Sequence, residues 1–205
     1  MTTAPEPKQE RSRATRARLL EAAVHCLATQ GWNAATVAVI AKEAGISRGA
    51  LQHHFPTRED LIVAALDYTF EQRSVAAQRI ALREENRPAM VHDVLTQVVD
   101  LYTGDLFRAA LQVWTVAAAD PALRAQIVPL EQKFARRVHG IAVDLLGADD
   151  SDPDTRGLIQ ATLDLARGLG LADVLTDDSR RRAHVLQAWS THLANALTAK
   201  GGTAA

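Results

Sequence analysis

The sequence predicts an all-α protein, with a three-helix helix-turn-helix head at the N-terminal end and a larger helical body behind it. Three observations carry that expectation. Apolar residues make up 47% of the chain and aromatics only 4%, a balance that suits closely packed helices better than a sheet. Apolar residues recur at helical spacing through most of the chain, with caps and breakers between the runs. Residues 36–61 hold, in order, a cap, an apolar helix face, a glycine turn, a second cap and a short second helix.

Residues 1–10 carry Pro5 and Pro7 and no periodicity, and they read as a mobile arm. Residues 12–30 place Leu20, Ala23, Val24 and Leu27 on one helical face before a break at Gly31-Trp32. Thr36 can cap a helix whose apolar face is Val37, Ile40, Ala41 and Ala44. Gly45 ends it, because a residue of positive φ is cheapest as glycine. Ser47 caps the next helix by accepting from an orphan backbone N–H. Thr57 caps a long helix to about residue 83, and Asn86-Arg87-Pro88 breaks it. Val91, Leu95, Val98, Val99 and Tyr102 follow at helical spacing, and Gly104 interrupts or bends the path before 106–118. Asp120-Pro121 reads as a cap with a first-turn proline, and Pro129 as the end or kink of that helix, resumed over 130–146. The polar loop 147–154 offers Asp152 as the next cap. Leu158, Thr162, Leu165, Leu169 and Ala172 form one stripe, and Val185, Trp189, His192 and Ala196 lead the last helix. Two domains follow: a head over 11–56 and a body over 57–200, with a frayed tail over 201–205.

At 205 residues and 22.2 kDa the chain holds one or two small domains. No run approaches the ~20 apolar residues of a membrane span. The first residues hold no apolar run to serve as a secretory signal. Cys26 is the only cysteine, which excludes an intrachain disulfide and fits a reducing cytoplasm. The net charge is −1, but residues 11–55 hold six basic side chains against two acidic, or +4, which leaves −5 for the remainder. A basic segment on an acidic body is the footprint of a protein that meets DNA with one end.

The second helix of the motif carries the candidate DNA contacts. Arg48 can donate twice to guanine and Gln52 can pair with adenine in the major groove. Gly49 permits close approach to a duplex, or is sterically neutral. The hydroxyls of Thr36 and Ser47 lie beside helix N–H groups that suit phosphate. His53 and His54 point about 100° apart on a helix, so one can face DNA while the other packs; neighbours so placed cannot share a metal. Arg58 is a candidate phosphate anchor. Arg11 and Arg13 either reach a minor groove or belong to a solvated arm.

The order of these residues resembles the tetracycline-repressor (TetR) family of transcriptional regulators. The pattern is a Thr-led helix with Ile40-Ala41, then Ala44-Gly45, Ser47-Arg48-Gly49-Ala50-Leu51, His54-Phe55, and Arg58 before Asp60-Leu61. It covers about residues 11–62. Gln52 stands where the family usually has tyrosine, and Arg58 replaces the more common lysine. The resemblance implies a phosphate-contacting place for His54, a homodimer built on the last two long helices, and a body that binds a small-molecule effector.

Within the body, Tyr102, Phe107, Gln112 and Trp114 are the candidate lining residues, with ordinary core as the competing reading for each. Leu158, Leu165, Val185, Trp189 and His192 are the candidate dimer residues. The aspartates at 149–154 lack the central glycine and closing glutamate of a calcium loop, so a helix start is the better reading and no metal is expected. Neither a catalytic constellation nor a cofactor motif is present. The function expected is a cytoplasmic, homodimeric repressor released from a pseudo-palindromic operator by an apolar or aromatic ligand with one or two polar handles. Activation instead of repression stays open, as does a ligand-independent or partner-regulated DNA-binding protein. An enzyme with an incidental helix-turn-helix lacks residues to carry its chemistry.

Overall fold

The structure, a computed structural model, describes residues 8–83 and 91–201. Among them are nine α-helices and no strand. They are α1 (Lys8–Ala34), α2 (Val37–Glu43), α3 (Arg48–His54), α4 (Arg58–Arg83), α5 (Val91–Asp100), α6 (Gly104–Ala117), α7 (Pro121–Leu146), α8 (Pro153–Ala172) and α9 (Ser179–Gly201). The all-α expectation holds. The expected arm at 1–7, the break at Asn86-Arg87-Pro88 and the tail beyond Gly201 lie outside the described residues.

Local signals set most boundaries. Thr57 Oγ1 accepts from the Asp60 N–H at 3.0 Å and opens α4. Asp120 Oδ1 accepts from Ala122 and Leu123, and opens α7. Asp152 accepts from the Thr155 N–H at 3.0 Å, with Pro153 in the first turn of α8. Each such cap contributes about 1 kcal/mol. Two boundaries differ from the sequence expectation. Helix α1 starts at Lys8, inside the stretch expected to be an arm. Pro129 neither ends nor divides α7. It is exposed, so the ring sits on the outer side of the helix.

The described residues pack as two units. One holds α1–α3, α4 through Glu71, and Arg108–Leu130. Its core is Leu19, Leu20, Ala23, Leu27, Ile40, Leu51, Leu61 and Ile62, each almost wholly excluded from solvent, with Ala109 and Val113 from α6. Burial of one such aliphatic side chain contributes about 1.5–3 kcal/mol, so these positions hold the head together. Residues 108–130, assigned to the body by the sequence reading, group here with the N-terminal residues.

The second unit holds Gln72–Phe107 and Glu131 onward. In it α5 packs against α8 and α9, which also pack on each other. Val94, Leu95, Val98 and Tyr102 on the α5 side meet a core that includes Val138, Ile159, Leu163, Ala166 and Leu193. The Trp189 indole N–H donates to Thr162 Oγ1 at 3.0 Å and ties α9 to α8.

Candidate nucleic-acid interface

Two short helices form this site, and their sequences explain the geometry. Thr36 Oγ1 accepts from the Val39 N–H at 3.3 Å and starts α2. Ile40 and Ala41 are the buried residues of α2. Gly45 then takes φ +66°, and the Ile46 N–H donates back to the Ala41 carbonyl at 2.9 Å. That left-handed residue reverses the chain within three positions. Ser47 Oγ accepts from the Ala50 N–H at 3.2 Å and starts α3. Leu51 and Phe55 are buried and anchor α3 to the head.

The opposite side of α3 is solvent-facing. Arg48, Gly49, Gln52 and His53 are exposed, and His54 is half-buried. Arg48 and Gln52 are four residues apart and share one row; Gly49 and His53 form the adjacent row. A Cβ on Gly49 would meet nothing within 4 Å. The fold itself therefore does not require glycine there. The His54 ring sits edge-on to His53, with centroids 5.8 Å apart, and 6.5 Å from Phe55. Arg11, Arg13, Arg16 and Arg18 are exposed on α1, and Lys42 is exposed on α2. Arg16, which sequence reasoning singled out only as part of the charge count, lies over the Phe55 ring at 5.2 Å. No local pattern signals that contact, because its partners are 39 positions apart.

Arg58, the candidate phosphate anchor, is engaged within the chain. Its Nε donates to the Ala35 carbonyl at 2.9 Å, and its Nη2 donates to the Trp32 carbonyl. The group also stacks over the Trp32 ring at 4.3 Å. Burial lowers its pKa from the ordinary value, against an opposing pull from Glu59. Arg58 fastens the start of α4 to the connection between α1 and α2. That connection needs a fastener because Gly31, at φ 81° and ψ 173°, breaks the helical path just before Trp32.

The candidate lining residues do not form one group. Tyr102 and Phe107 meet edge-on, with centroids 6.0 Å apart. Gln112 is exposed and accepts from the Trp32 N–H at 3.4 Å, within the head unit. Trp114 is half-buried and belongs to that same unit. Of the candidate dimer residues, Leu158, Leu165, Val185 and Trp189 are half-buried and His192 is exposed. Trp189 and His192 rings lie 5.2 Å apart. Leu165 and Trp189 also line one closely packed niche with Leu95, Val98, Val99, Thr162, Ala166 and Leu186. Trp189 is thus engaged inside its own chain as well as at the surface.

The aspartate loop has structural employment. Asp149 accepts from the Ser151 N–H and hydroxyl at 2.9 and 2.6 Å, and Asp150 pairs with His139 and Arg156. Among the described residues no three His, Cys, Asp or Glu side chains gather as a metal site. No described helix is long and apolar enough to cross a membrane.

Comparison with known proteins agrees with this geometry. The family described as bacterial regulatory proteins, tetR family, matches residues 19–65. The HTH-type transcriptional regulator CymR of Pseudomonas putida is 26% identical over 177 residues, covering 84% of this chain and 85% of that protein. Among solved structures, a transcriptional regulator from Rhodococcus sp. Rha1 superposes with a TM-score of 0.67 at 20% identity, covering 88% of this chain and 96% of that one. A transcriptional regulator from Saccharomonospora viridis in complex with choline gives a TM-score of 0.56 at 23% identity, covering 92% and 95%.

Proposed function

We propose that the chain, whose residues 19–65 match the tetR family of bacterial regulatory proteins, is a transcriptional regulator and not an enzyme, and acts as a cytoplasmic repressor. It binds a pseudo-palindromic operator as a homodimer and leaves it when a small molecule occupies the body. The observation that carries the DNA-binding part is the exposed row of α3: Arg48 and Gln52 face solvent on a helix whose other side is pinned by Leu51 and Phe55. Such a row reads base edges in the major groove, while Thr36, Ser47 and His54 take phosphates.

One seven-residue helix offers few base contacts, so two half-sites are needed for useful affinity. Their recognition helices sit about one helical turn apart, ~34–36 Å, or somewhat more. The outward surfaces of α8 and α9, with Leu158, Leu165, Val185, Trp189 and His192 along them, are the proposed contact between protomers. Support for an effector comes from the structural relative that holds choline. The effector must bind the released state more tightly than the operator-bound state, since only differential affinity shifts an equilibrium.

Duplexes selected by the purified protein from a random pool test this reading. An inverted repeat is expected, together with a dimer in sedimentation at micromolar concentration. A directly repeated or featureless motif with a monomeric protein would refute it. A broad metabolite screen against the selected duplex then tests release.

A further inference from the structure

We infer that Arg16 of α1 is a DNA-backbone contact, held against the Phe55 ring so that its guanidinium meets a phosphate beside the C-terminal end of α3. The inference rests on the DNA-binding reading above and adds to it a contact from a helix outside the two-helix motif.

Arg16 stands at the end of a core stripe. Further along α1 on the same side are Leu19, Leu20 and Ala23, all excluded from solvent or nearly so. An arginine thus takes the next place on the packing side of α1, yet it is itself exposed. Its guanidinium carbon lies 5.2 Å from the centre of the Phe55 ring. Phe55 is buried and closes α3, where its N–H donates to the Leu51 carbonyl at 2.9 Å. The His54 ring is 6.5 Å from the same Phe55 ring. Arg16 and His54 therefore border one aromatic side chain where the exposed helix ends.

Covering Phe55 does not call for a charge, since an apolar side chain of similar length would bury the same ring. What the arginine adds is a set of N–H donors. Among the described residues no carboxylate or carbonyl accepts from them. Arg58 makes the contrast. It also lies over a ring, that of Trp32, but its donors are committed to the Ala35 and Trp32 carbonyls. Contact with a ring uses the face of a guanidinium and leaves its edge for an anion. A phosphate oxygen beside that edge makes a charge-assisted hydrogen bond.

The size of α3 says why a contact is needed there. Its seven residues span roughly 10 Å, less than the ~12 Å width of a major groove. With Arg48 and Gln52 turned to base edges, the phosphate rows fall to groups at and beyond the ends of the helix. Ser47 stands at the N-terminal end; His54 and Arg16 stand at the other. The Phe55 ring holds Arg16 in place before DNA arrives, which lowers the ordering cost of binding.

The test uses the full-length protein, the best duplex from the random-pool selection and its single-base variants, titrated over a range of salt concentrations. Arg16→Gln removes the charge, and Arg16→Lys keeps it. Arg18→Gln is the control: Arg18 is equally exposed but lies about 200° round the helix from Arg16, so the same charge is lost from the other side of α1. Arg16→Gln is expected to bind every duplex at least about tenfold more weakly at fixed salt. Its plot of log affinity against log salt should be shallower by about 0.9 for each copy of the chain bound. Its ranking of the duplexes should match the parent's, in contrast to Arg48→Ala. Arg16→Lys should keep the parent's slope, and so should Arg18→Gln. Without DNA, Arg16→Gln should melt within about 5 °C of the parent. Weaker binding at an unchanged slope, tracking a larger fall in melting temperature, would mean that Arg16 only steadies Phe55 and would overturn the proposal. Equal flattening of the slope by Arg18→Gln would reduce the effect to a diffuse field and overturn it too. Parental affinity and slope for Arg16→Gln overturn it outright. In all three cases the DNA-binding reading stands; it falls only if the parent selects no duplex.

Discussion

Helix α3 and the corner around Tyr102 present polar groups in opposite ways. On α3 the donors of Arg48 and Gln52 face solvent, and every apolar residue nearby is committed to packing behind them. Around Tyr102 the donors are inside, framed by rings from three different segments. A surface that meets a duplex must be convex, exposed and already satisfied by water when empty. A packed corner instead withdraws its polar groups from water and must satisfy them within the protein, as Arg167 does beside Tyr102. The difference carries a consequence for mutation. The exposed side chains of α3 can be removed without harm to folding, while residues that pack the core or fasten the head cannot.

That contrast can be broken most sharply at Gly170. Gly170→Ala would drive a methyl group into the Tyr102 carbonyl oxygen and is expected to cost about 3 kcal/mol. Urea unfolding checks it; a variant as stable as the parent would show that α8 does not depend on this close approach. Arg58→Ala comes next, at about 2 kcal/mol, because two backbone carbonyls lose a charged donor and Trp32 loses its stacked cation. Unchanged stability combined with uniformly weaker DNA binding would return Arg58 to the role of phosphate anchor. Ser47→Ala should cost about 1 kcal/mol through loss of the α3 cap. Arg48→Ala and Gln52→Ala should be the mildest, within about 0.5 kcal/mol of the parent, since neither side chain packs. Denaturation midpoints for the five variants rank the head and body positions in one series.

Much of the head was legible in the sequence because its signals are local. Thr36, Gly45 and Ser47 each announce a helix boundary within three or four residues of the groups they satisfy, and the structure uses all three in that way. The fold class followed from the same kind of signal. The engagement of Arg58 was not legible in sequence because its partners, the carbonyls of Trp32 and Ala35, lie 26 and 23 positions away. Periodicity says which face of a helix is apolar, but not what that face will meet. The body illustrates the same limit. Tyr102 and Phe107 were picked out as aromatic residues in an apolar stretch, yet Phe134, Arg167 and Glu131 carry no mark in sequence that links them to Tyr102. Gln112 was grouped with Tyr102 as a candidate lining residue of the body. The chain instead turns Gln112 toward Trp32. Pro129 shows that a helix breaker is a tendency, overridden where an exposed ring leaves the helix able to continue.

Reading of DNA sequence is the role proposed for the exposed row of α3. It is tested most directly by titrating the wild-type protein and Arg48→Ala, at fixed salt, against the best duplex from the random-pool selection and against every single-base variant of one half-site. The prediction is a loss of about 1–3 kcal/mol on the best duplex and a relaxed preference confined to one base pair. Equal affinities for the two proteins across the whole set would contradict it.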